Sequence, residues 1–127
     1  MNLTFVNRQF KDTENDLLLF KAVARCELSK YLVYDKTYDG NGNETNIFPH
    51  MFHFPSLTLQ EGEYVALRLH KGKFNKGQTS GGVVCYNIYW GMENDVSIFN
   101  DSGDCVHLVK IAEEKTYQIP EEKEKSK

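Results

Sequence analysis

Cys105 and His107 stand two positions apart in "DCVHLVK", the closest cysteine–histidine pairing in a chain of three cysteines and four histidines. On a strand both side chains leave one face, about 6.5 Å apart. Such a pair could seat two ligands of a zinc ion, but a site takes three or four. His50 and His53 would have to supply the rest from elsewhere in the fold. The same four residues are the set that a metal-dependent or thiol hydrolase would use. A nucleophilic Cys85 or Cys105 needs a thiolate, a neighbouring base and a third group that orients the base. Nothing beside either cysteine has that form, and a small buried apolar side chain is the plainer role for both. The run "DGNGNE" from Asp39 has a calcium-loop flavour, yet its twelfth position is His50 rather than the bidentate Glu such a loop requires. It reads as a turn. No catalytic residue, metal or cofactor is assigned.

Binding chemistry has one candidate. In "RLHKGKFNK", Arg68, Lys71, Lys73 and Lys76 stand without one acid among them. A basic loop over 68–76 could dock phosphates, acidic lipids or an acidic protein. It could equally be a solvated connection, or a contact for the chain's own acidic segment. The net charge of −3 argues against a dedicated nucleic-acid binder, which needs a clustered positive surface.

The elements that must position these residues are strands. "EYVALRL" (63–69) alternates, with Val65, Leu67 and Leu69 on one face and Tyr64, Ala66 and Arg68 on the other. Before it, Phe52 and Phe54 flank His53, Pro55 stops the strand, and Gln60-Glu61-Gly62 forms a turn. After it, the polar, glycine-bearing stretch 70–82 reads as a long exposed loop. "VVCYNIYW" resumes alternation, placing Val84, Tyr86, Ile88 and Trp90 together, so that Trp90 is expected as a core anchor ahead of Gly91. Val96–Phe99 reads as a strand, and Asn100–Asp104 as a turn in which Gly103 takes a positive φ. A strand with Val106 and Leu108 on one face then completes a hairpin. Residues 13–34 admit either a helix capped near Thr13–Asp16, or strands at 17–23 and 31–34.

In their order, "FHFPSLTLQEGEYVALRL", the glycine-bearing loop and "NIYWGMENDVSIFNDSGDCVHLVKI" resemble the lamin tail domain. The shared features are the Phe-Pro55 step, the turn at Gly62, the aliphatic strand, the Trp90-Gly91 pair, and the Gly103-Asp104 turn before Val-x-Leu. The resemblance covers roughly 28–111 and is strongest from Phe52. It implies an immunoglobulin-like β-sandwich of two packed antiparallel sheets, and so favours strands at 17–23. It carries over no catalytic residues. The sequence departs from the pattern at "DLLLFKAV" and in "NLTFVNRQFKDTEN" (2–15).

The length of 127 residues and 40% hydrophobic content suit one domain with its own core. That domain is expected over 1–119, followed by a charged, apolar-free and disordered run over 120–127. Three cysteines do not make a disulfide framework. No signal peptide and no membrane-length apolar run is visible, so the chain reads as cytoplasmic as written, or as secreted if a signal has been removed. The expected function is a non-catalytic interaction or structural module whose partner is another protein. A nucleic acid or other polyanion at the basic loop is the alternative.

Overall fold

The computed structural model describes residues 1–9, 16–37, 50–92 and 104–120. Their regular structure is β1 (Leu3–Gln9), β2 (Leu17–Ala22), β3 (Cys26–Glu27), β4 (Tyr31–Thr37), β5 (Met51–His53), β6 (Thr58–Leu59), β7 (Tyr64–His70), β8 (Asn75–Gln78), β9 (Val84–Met92) and β10 (Asp104–Lys110). One 3₁₀ turn, Leu28–Lys30, joins β3 to β4, and no α-helix occurs among the described residues. Residues 17–22 are therefore strand. The rings and β-branched side chains of this chain fit a pleated surface better than a helix.

Three sheets form. One has five strands in the order β1-β2-β7-β9-β8, one has three in the order β10-β4-β5, and β3 pairs with β6 in a short ribbon. The five-stranded sheet corrects the expectation of purely antiparallel sheets, because β7 and β9 run parallel. The cause lies in residues 70–82, expected to be one long loop. They hold the end of β7 and all of β8, which forms an antiparallel hairpin with β9 at the far edge. The chain crosses over at 71–74, and β9 returns between β7 and β8. A parallel pair needs a connection of about a dozen residues or more, and 71–83 supplies it.

The sheets face each other across a common core. Leu18, Phe20 and Ala22 from β2, Val65, Leu67 and Leu69 from β7, and Ile88 from β9 meet Tyr31 and Val33 from β4. Val106 and Leu108 of β10 pack against this cluster, as alternation expected. Burying each large aliphatic or aromatic side chain contributes about 1.5–3 kcal/mol. Trp90 anchors the contact between sheets, its ring 5.5 Å from that of Phe52, which in turn lies 5.4 Å from Phe54. Opposite Leu69, β9 carries the extra residue of a bulge, where register passes from Arg68↔Tyr89 to His70↔Met92. Gly91 lies in that bulge with φ +93°, a conformation that only glycine adopts cheaply.

Gly62 forms the expected turn, at φ +88°, with Glu63 N–H donating to the Gln60 carbonyl. Pro55 follows β5 and buried Phe54. Glu27 holds the neighbouring loop: its carboxylate accepts from the backbone N–H groups of Ser29 and Leu57, each at 2.9 Å. Asp104 opens β10, opposite Thr37. Gly103, the rest of the expected turn over 100–103 and the strand at 96–99 lie outside the described residues, as do 39–44 and 121–127.

Candidate functional site

The four residues of the hydrolase reading do not meet. On β4, Tyr31, Val33 and Asp35 face the core, while Leu32 and Tyr34 face outward. His107 lies opposite Tyr34, and their rings stack at 4.7 Å and 5°. Cys105 shares that outer face. His53 sits two strands away, opposite Leu32, with Nε2 bonded to the Ser29 carbonyl at 2.6 Å. Two strand spacings are about 9.6 Å. His50 is on the other side of the sheet, against buried Asp35: its backbone N–H donates to Oδ1 at 2.6 Å, and Nδ1 lies 3.2 Å from Oδ2. Among the described residues no group of three or more His, Cys, Asp or Glu could hold a metal ion.

The basic residues also part company. Arg68 and Lys76 belong to strands rather than to a loop, which corrects the expected basic loop over 68–76. Arg68 points from the outer face of the five-stranded sheet. Lys76 lies opposite Tyr86 on the inner side, with Nζ 5.8 Å from that ring. Lys71 and Lys73 stand exposed on the crossover between them. One face does not carry all four charges.

What the fold does assemble is a groove of about 360 Å³ on the outer face of the five-stranded sheet. Register explains its lining. Tyr64 and Cys85 lie in one row across β7 and β9; Leu19 and Ala66 lie in the next, across β2 and β7; Leu17 and Arg68 lie in the third. Val6 on β1 and Thr79 and Ser80 beside β8 complete the walls. Gln9 also lines it, because β1 shifts register between Phe5 and Asn7 and so sets Gln9 opposite Leu17.

A chain of hydrogen bonds braces the Arg68 side chain. Its Nε donates to Asn87 Oδ1 at 2.9 Å, Asn87 Nδ2 to Asn75 Oδ1 at 2.9 Å, and Asn75 Nδ2 to the Lys73 carbonyl at 3.1 Å. The brace engages Nε and leaves the two Nη groups to present a planar fork suited to a carboxylate. Burial pushes the Cys85 thiol up, partly offset by the Arg68 charge and by a backbone hydrogen bond from Ala66. That direction opposes the thiolate a nucleophile needs. Cys85 serves here as apolar lining.

Of the residues expected to bind, only Arg68 lies in this groove. Leu17, Leu19 and Tyr64 were not singled out as binding residues. The unbroken run "DLLLF" held the signal, since a strand with one face in water would alternate. Compared with known protein families, curated proteins and solved structures, the chain matches none. No helix among the described residues is long and apolar enough to cross a membrane.

Proposed function

We propose that this chain is a non-catalytic protein-binding module of the immunoglobulin-like kind that its resemblance to lamin tail domains implies. It reads an extended segment of a partner across the outer face of the five-stranded sheet. The observation that carries this reading is the groove, where a braced cation lies beside Leu17, Leu19 and Ala66, with Gln9, Thr79 and Ser80 also lining it. Leu17, Leu19 and Tyr64 offer apolar contact, and Arg68 offers a charge-assisted hydrogen bond that fixes register. An amphipathic peptide with alternating apolar side chains and one carboxylate matches both. A polyanion does not, because Arg68 and Lys76 face opposite sides.

Selection of a displayed library of short random peptides tests it. Sequences enriched on the native chain should alternate apolar residues and carry an acid. Enrichment should be lost on Leu19→Glu and weakened on Arg68→Gln, with both variants checked for native circular dichroism. Failure to enrich any family, or enrichment indifferent to Leu19→Glu, would overturn the reading.

A further inference from the structure

Segment 112–120 leaves β10 without joining any sheet, and every residue from Ala112 to Pro120 is exposed. Tyr117 and Ile119 are 77% and 88% exposed, the two highest values among the large apolar side chains described. They alternate, Pro120 follows, and Glu121 and Glu122 come next. A residue before proline is held extended, so Ile119 is biased toward a strand-like conformation before it meets anything. None of these residues is among those lining the groove, which come from β1, β2, β7, β9 and the turn after β8.

We propose that the groove's occupant is segment 116–122 of a second copy of this chain. This rests on the reading of the groove as a peptide-binding surface and names its partner. The match is one of period. In an extended chain Tyr117, Ile119 and Glu121 leave one side at steps of two residues, about 6.5 Å apart. The groove's three rows have the same step, because they are set by alternate residues of β2 and β7. Tyr117 falls on the row of Tyr64, Ile119 on that of Leu19 and Ala66, and Glu121 on that of Arg68. The acid meets the cation and the apolar pair meets the apolar floor. Docking lies across the face rather than along a strand edge, so the missing N–H of Pro120 costs no ladder hydrogen bond. Each copy carries the groove and the segment, so two copies can exchange segments about a two-fold axis, or copies can add head-to-tail into a ring or an open chain.

Sedimentation of the full chain over about three decades of concentration should show association that Tyr117→Ser/Ile119→Ser abolishes. A synthetic peptide of residues 112–127 should bind that doubly substituted chain and move the amide resonances of Leu17, Leu19 and Tyr64. Glu121→Lys/Glu122→Lys in the peptide should weaken binding about tenfold, as expected for a lost charge-assisted hydrogen bond. That substitution leaves the receptor untouched, so misfolding cannot mimic the result. A native chain that stays monomeric throughout, a peptide that moves other resonances, or chemical shifts of Tyr117 and Ile119 that show docking independent of concentration would overturn the proposal. If library peptides still select on the groove, only the occupant fails; if they do not, the binding surface fails with it.

Discussion

Asp16 holds a carboxylate that is 1% exposed, with Arg8 Nε 3.5 Å away and His70 also buried nearby. At that distance Arg8 and Asp16 form an ion pair rather than a short hydrogen bond. Burial raises the Asp16 pKa, and the Arg8 charge, the contact with Arg8, the His70 charge and the nearby Leu17 backbone N–H only partly offset it. A raised folded pKa means that the folded state favours the protonated form. Asp16 thus supports the fold most fully below the ordinary carboxylate pKa, and that support is lost as pH rises through the raised value. Asp16→Asn removes the buried charge while keeping the shape. Its melting temperature should equal or exceed that of the native chain at pH 7, and the difference should close toward pH 3. A variant clearly less stable at pH 7 would show that the Arg8 ion pair outweighs burial.

The crossover 71–74 decides the topology, because it carries the chain past β9 to the far edge. It lies tight against the sheet: a Cβ on Gly72 would fall 2.1 Å from the Tyr89 ring. Gly72→Ala must therefore push the ring aside or lift the crossover, at about 1–3 kcal/mol, the usual cost of overpacking. Chemical denaturation of Gly72→Ala, alone and combined with Tyr89→Ala, checks this. The cost should shrink by more than half in the Tyr89→Ala background. An equal cost in both backgrounds would place the strain in the backbone rather than against the ring.

For the molecule as a whole, the separation of its cations governs what it attracts. A polyanion binds through clustered charge and releases counterions in proportion to the phosphates it loses. Here Arg68 and Lys76 leave opposite faces of the sheet, with Lys71 and Lys73 exposed on the crossover between them, on a chain whose net charge is −3. Titration with heparin and duplex DNA should show only weak binding at low salt and none near physiological ionic strength. Replacing Lys71, Lys73 and Lys76 by Ser should change little, since exposed charges contribute little to stability. Tight binding with a steep salt slope that the triple substitution removes would restore the basic stretch as a site.

Much of the strand plan was legible in the sequence, because alternation and turn chemistry are local. Val65, Leu67 and Leu69 declared their inward face by period, as did Tyr86, Ile88 and Trp90, and Gly62 declared its turn. Residues 17–22 stayed ambiguous because a short apolar run fits a buried strand or a helix equally well. What a strand pairs with is another matter, since backbone N–H and C=O groups are the same in every strand and accept any neighbour. Only the tertiary structure placed β9 between β7 and β8, so that Asn87 came beside Arg68 and braced it. The same long-range pairing set Leu17 and Leu19 along the groove, put His50 and His53 on opposite sides of one sheet, and divided Arg68 from Lys76.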